Sequence, residues 1–268
     1  MQDIFETFRP KDPNVKQYVD YYYLDIKPNN TTNEFQCFPH YNNSISIYQS
    51  HIRLENGEIQ FEEKAKPFQI FTPIREKVLR VKQLGEVCRI VIVFPPLGIQ
   101  HFFSDQLFSG YITGVDFFNP EELTELFSTT NTTLLADLLD SFLAKRFIRF
   151  ENTILERTIL HILDQPAHFS VTEIAKKIGI SRQHLTRVFQ FHMGVSVKKF
   201  HEIVIFRSTV NKRLFKDSNE NFTKLAYDFN FSDQSHLNKT YKNLTASTPV
   251  LFFKKGTLLG KEDTFWHL

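Results

Sequence analysis

The sequence predicts an α+β chain with three parts. A β-rich, barrel- or jelly-roll-like N-terminal domain is followed by a helical connector. An all-α domain of two helix-turn-helix units joined by a long helix completes it. Three observations carry this. Short runs of β-branched and aromatic residues, bounded by turn signals, fill residues 1–119. Helical spacing takes over from Pro120 and covers a connector, 120–151. A helix–glycine turn–helix pattern in 152–268 then occurs twice at a nearly constant offset.

The 268 residues suffice for two ordinary domains, and 41% hydrophobic with 23% charged residues is a folding, soluble composition. The 29 Phe read as bulky core filling. A net charge of +2 hides an asymmetry: residues 1–165 hold 16 Lys and Arg against 22 Asp and Glu, and residues 166–268 hold 16 against 8. A basic third beside an acidic front is the footprint of a nucleic-acid module attached to a different domain. Cys37 and Cys88 make neither a disulfide framework nor a CxxC pair, which fits a reducing cytoplasm. Asp3 and Glu6 stand where a secretory signal would be basic and then apolar. The apolar stretch RIVIVFPPLGI is too short to span a bilayer. A cytoplasmic location with no membrane partner is expected.

Element by element, SISIY (44–48), EIQFE (58–62), FQIFT (68–72), KVLRV (78–82) and RIVIVF (89–94) read as strands. Asn56-Gly57 is a hairpin-turn dipeptide between IRL and EIQF. Glu121 to Phe127 and Leu134 to Phe150 have helical spacing, and from about residue 152 the chain reads as helical apart from short connectors. Pro166 ends the helix running through Ile154, Leu155, Ile159 and Leu163. Ser170, with Glu173 three residues on, is a capping box that opens the next helix. Gly179 closes it in the left-handed conformation, and Ser181 caps a second helix with Leu185 and Phe189 inward. Arg182, Gln183, Thr186, Arg187 and Gln190 are left facing out. Residues 196–215 read as one helix of roughly 30 Å.

One such unit is common in proteins that never meet DNA. The second copy changes the odds. Ala175 and Gly179 recur as Ala226 and Asn230, 51 residues on. After a one-residue insertion, Leu185, Arg187, Phe189, Ser196 and Phe200 recur as Leu237, Lys239, Tyr241, Thr248 and Phe252. Retention of the outward basic residue along with the apolar ones points to a shared task of phosphate or base contact.

The segments IAKKIGISRQHLTRVFQFHMGVSVKKF and LAYDFNFSDQSHLNKTYKNLTASTPVLFF resemble the AraC/XylS family of bacterial regulators, with FSDQSHL and a later TP as the most specific signature. The resemblance covers residues 154–254, and the front end resembles the sensor domains of one subgroup. It places base contacts on Gln183, Thr186 and Arg187 in the first unit. In the second unit they fall on Gln234, Ser235, His236 and Lys239. With the outward Arg182 and Gln190 these form the expected DNA-binding set. Three positions depart from the family pattern: Ile205 replaces a linker-helix Arg, and Asn230 and Ala246 replace turn glycines. Lys239, in place of the more usual Arg, lacks the planar fork for bidentate guanine reading.

The expected function is sequence-specific DNA binding in transcription regulation, working as an activator, a sign that no residue dictates. Control would come through a small effector or dimerisation of the N-terminal domain. Candidate partners are double-stranded DNA, an unidentified small-molecule effector, RNA polymerase and a second copy of the chain. Two other readings are a cupin-like small-barrel enzyme with a helical tail, and an interaction adaptor that kept the fold but not DNA binding. The enzyme needs closely spaced His ligands, whereas His40, His51 and His101 are dispersed and no HxH occurs. No GxSxG, P-loop, HExxH or GxGxxG is present, so no enzyme, cofactor or metal is expected. Glu121, Glu122 and Glu125 read as the acidic first turn of a helix. Tyr21-Tyr22-Tyr23 reads equally as the lining of an aromatic pocket or as an alternating strand. His184 and His236 would either touch DNA or cap packing.

Overall fold

The structure, a computed structural model, describes residues 2–103, 112–113, 115–216, 221–262 and 264–268. Among these described residues ten strands come first: β1 (Ile4–Phe8), β2 (Tyr21–Lys27), β3 (Thr32–Cys37), β4 (Asn43–Tyr48), β5 (His51–Arg53), β6 (Ile59–Phe61), β7 (Phe68–Thr72), β8 (Leu79–Leu84), β9 (Val87–Phe94) and β10 (Ile112–Thr113). The connector holds α1 (Pro120–Leu126) and α2 (Thr132–Arg146). Next come α3 (Thr153–Asp164), α4 (Val171–Ile178), α5 (Arg182–Met193), α6 (Val197–Asn211), α7 (Phe222–Asp228), α8 (Gln234–Thr245) and α9 (Pro249–Lys255). The chain closes on β11 (Gly256–Leu259) and β12 (Thr264–His267). The β-rich front and helical remainder match the predicted class.

The strands form two six-stranded sheets, ordered β1-β2-β9-β4-β7-β10 and β11-β12-β3-β8-β6-β5. Period-two alternation sorts the first sheet's side chains between two environments. Tyr22, Leu24, Ile45, Ile47, Ile90, Ile92 and Phe94 face α1 and α2, meeting Leu123, Leu126, Leu135, Leu139 and Leu143 in one core. Their neighbours Tyr21, Tyr23, Val91 and Val93 face the second sheet, with Phe35 and Trp266. The three tyrosines therefore divide between the two readings the sequence left open: Tyr22 donates to Asp140 of α2 at 2.7 Å, and Tyr21 and Tyr23 line an inter-sheet cavity. Asn56-Gly57 makes the expected turn between β5 and β6, with Gly57 at φ 85°.

Four local expectations change. First, residues 256–259 and 264–267 are strands rather than helix, and β12 pairs with β3 through Trp266 opposite Cys37 and His267 opposite Gln36. Four-residue strands whose partner lies at the other end of the chain leave no periodic trace in sequence. Second, α2 stops at Arg146 instead of running to Phe150, because Phe147 turns extended and Ile148 N–H donates to the His101 carbonyl at 2.7 Å. Third, the long helix is α-helical only to Asn211, and Lys212–Lys216 continue as a π-helical turn. Lys212 there pairs with Asp228, and Arg213 lies over the Phe222 ring at 4.8 Å, so contacts with α7 govern this turn. Fourth, Ser170 caps α4 through Glu173 N–H, without the reciprocal Glu173 bond; a full capping box occurs instead at Asn119 and Glu122.

Candidate nucleic-acid interface

The two helical units are built by the same local devices at the same offsets. Ser170 and Asn221, 51 apart, cap α4 and α7 by accepting from the backbone of Glu173 at 3.4 Å and Lys224 at 2.7 Å. Ser181 and Asp233 cap α5 and α8 through His184 N–H at 3.1 Å and His236 N–H at 2.8 Å. Ser196 and Thr248 cap α6 and α9 in the same way. Each cap satisfies a backbone N–H that the first turn cannot bond internally. The turns repeat as well. Gly179 at φ 81° and Asn230 at φ 57° let Ile180 and Phe231 bond back to the carbonyls of Ala175 and Ala226. Asn tolerates this conformation, so the departure at residue 230 leaves the turn intact. Gly194 (φ 72°) and Ala246 (φ 58°) close α5 and α8 in the same left-handed form.

Leu185, Phe189 and Phe200 are fully buried in one core, and Leu237, Tyr241 and Phe252 in another. Tyr241 carries a hydroxyl into its core, where it meets the Thr209 hydroxyl at 2.8 Å. Burial pushes that phenol well above its ordinary range. α6 joins the two units: Val197, Phe200, Ile203 and Val204 belong to the first core, and Phe206 and Val210 to the second. Ile205, in place of a linker Arg, packs partly buried against the second core.

With these faces anchored, Arg182, Gln183, Thr186, Arg187 and Gln190 of α5 are all exposed, as are Gln234, Ser235, His236 and Lys239 of α8. Several have local partners. Arg187 Nη2 lies 3.1 Å from His184 Nδ1, Thr186 donates to the Arg182 carbonyl at 2.9 Å, and Gln190 donates to the Gly194 carbonyl at 2.9 Å. Gln234 Oε1 accepts from Thr223 at 2.8 Å, and His236 Nδ1 lies 3.4 Å from Ser232 Oγ. Gln183, Ser235 and Lys239 share the same open faces. Sequence reasoning missed the caps Asn221 and Asp233, though each sits at the repeat's own offset, and it paired Ser196 with Thr248 without reading either as a cap.

The dispersed histidines stay apart. Asn42 N–H donates to His40 Nδ1 at 3.0 Å, His51 contacts the Gln49 and Glu86 carbonyls, and His101 stacks on Tyr18 with ring centroids 3.8 Å apart. Among the described residues no helix is long and apolar enough to cross a membrane.

Residues 174–255 match a family described as a helix-turn-helix domain. The chain is 27% identical over 105 residues to an HTH-type transcriptional regulator of Haemophilus influenzae, covering 39% of this chain and 35% of the relative. It is 27% identical over 138 residues to the HTH-type transcriptional regulator YfiF of Bacillus subtilis, covering 48% and 42%. The chain thus spans well under half the length of either relative. Among solved structures, ToxT from Vibrio cholerae is similar at a TM-score of 0.48 and 12% identity, over 87% of this chain and 98% of that one.

Proposed function

We propose that this chain, whose residues 174–255 form an AraC-type helix-turn-helix domain, is a sequence-specific DNA-binding transcriptional regulator. The carrying observation is the duplication of the whole reading unit, caps, turns and buried face included, with a polar and basic surface left open on both second helices. Each unit would lay α5 or α8 in a major groove. Gln183, Arg187, Gln234 and Lys239 would reach base edges or phosphates, with Arg182, Thr186, Gln190, Ser235 and His236 beside them. The N-terminal sheets would regulate this head by binding a small effector, by self-association, or both, and transcription would change through contact with RNA polymerase.

The experiment is selection of duplexes from a random pool by the full chain, followed by a salt titration on the selected site. Expected are a defined sequence and an affinity that falls steeply with salt as phosphate contacts are lost. Failure to enrich any sequence, with weak binding indifferent to sequence, would favour the adaptor reading over the regulator.

A further inference from the structure

The exposed face of α5 ends in an aromatic residue that the polar reading set does not include. Phe191 stands four residues after Arg187 and eight after Gln183, a spacing that puts all three on one stripe of the helix. Leu185 and Phe189, fully buried, point the opposite way. At 63% exposed, Phe191 is the most exposed aromatic residue among the described ones. Single apolar residues on a surface are ordinary. What sets this one apart is its register with two side chains of the proposed reading face.

The surroundings hold the ring in place. Phe191 and His192 meet edge to face with ring centroids 4.9 Å apart. His192 is anchored in turn, its ring against Phe150 at 5.6 Å and its carbonyl accepting from Gln100 at 3.1 Å. Gln190, exposed on the same turn, is tied back by its bond to the Gly194 carbonyl at 2.9 Å. The outward surface beyond Arg187 is therefore left to the ring. The second unit differs at this turn. At the repeat's offset of 52, Gln190 and Phe191 correspond to Lys242 and Asn243, both exposed. A Lys there suits a phosphate, which a Phe cannot bond. The base feature that an apolar ring can recognise in a major groove is the C5-methyl of thymine.

We propose that Phe191 is a specificity-determining residue: with α5 laid in the major groove, its ring packs against the C5-methyl of a thymine in the first unit's subsite. The proposal rests on the regulator reading above. Four residues of helix rise about 6 Å and successive base pairs about 3.4 Å, so this thymine lies within about two base pairs of the base that Arg187 contacts. The two units then read by different chemistry, the first with polar groups and an apolar contact, the second with polar and basic groups alone.

The test is a uracil scan of the duplex selected by the full chain. Each thymine is replaced singly by deoxyuridine, which removes the methyl and leaves base pairing intact. With the native chain, one replacement near the base whose selection Arg187→Ala relaxes should weaken binding about fourfold, the worth of one buried methyl. Phe191→Ala should weaken binding to the thymine duplex about fourfold or more and make thymine and uracil equivalent at that position. Replacements elsewhere should act on this variant as they do on the native chain. Phe191→Leu, which keeps an apolar side chain, should retain part of the discrimination. Both variants, altered at an exposed position, should keep the native melting curve, and the scan of the native chain requires no variant to fold. A scan that is flat at every thymine would overturn the proposal and leave the regulator reading standing. So would methyl dependence that persists everywhere in Phe191→Ala, or equal losses on thymine and uracil duplexes, which would place the ring on the sugar-phosphate backbone. Failure of the full chain to select any sequence would strike the regulator reading, and the thymine contact with it.

Discussion

Arg187 and Ala246 illustrate what single residues contribute to this chain. Arg187 stands exposed one turn after Gln183, so both can enter one groove. Arg187→Ala should weaken binding to the selected site by roughly 1–3 kcal/mol, the value of a good bidentate base contact. Lys176→Ala, on the preceding helix, should cost much less in sequence preference. Equal losses on selected and random duplexes would reduce Arg187 to a phosphate contact. Ala246 holds φ 58° at a helix end where its counterpart is Gly194. A Cβ is disfavoured there, so Ala246→Gly should stabilise the chain by about 1 kcal/mol, net of glycine's greater entropy loss. A urea midpoint that stays put or falls would show that the surroundings already absorb the strain. Arg187 was legible in sequence because the repeat pairs it with Lys239, and Ala246 because the family resemblance expects a turn glycine at its position. The cavity was not: Ser44 and Ser46 alternate with Ile45 and Ile47 like a strand with one wet face, and only the tertiary structure shows that face covered.

The element with most leverage is α6. At 15 residues it is about 22 Å long, and it contributes buried residues to both helical cores. Val204, 1% exposed at its middle, lies in the first core. Val204→Gly should lose about 1 kcal/mol of helix propensity plus lost packing, at least about 3 kcal/mol together. In chain that remains folded it should loosen the coupling between DNA subsites more than either contact alone. Chemical denaturation gives the first quantity and footprints of separate subsites the second; a loss confined to one subsite would contradict the spacer role. The helices and most strands of the front domain could be read from periodicity, because 3.6- and 2-residue patterns survive in local sequence. The hairpin could not, since β12 finds its partner in β3 at the opposite end of the chain.

For the whole molecule, contacts between the front domain and the helical units, such as Gln100 with the His192 carbonyl at 3.1 Å and β12 with β3, contribute to stability. His101, His192, His201 and His267 lie where separate elements meet, and burial lowers the pKa of each below the ordinary 6.5, as it does for His51. The unfolded chain therefore takes up these protons at higher pH than the folded one. Stability is fully present above the ordinary value and is lost as pH falls through it. The urea midpoint should be lower at about pH 5.5 than at about pH 7.5, and the reverse order would contradict these burial effects. Function asks more of the same architecture, since two reading helices on one chain in the same order should engage two subsites about one helical turn apart. A single subunit would then recognise roughly 15–20 base pairs without palindromic symmetry. The most direct test is footprinting of the full chain on its selected site and on versions with about five base pairs, half a turn, inserted between the subsites. Bipartite reading predicts that the insertion removes protection of one subsite and sharply lowers affinity; unchanged affinity and an unchanged footprint would show that the second unit does not read DNA.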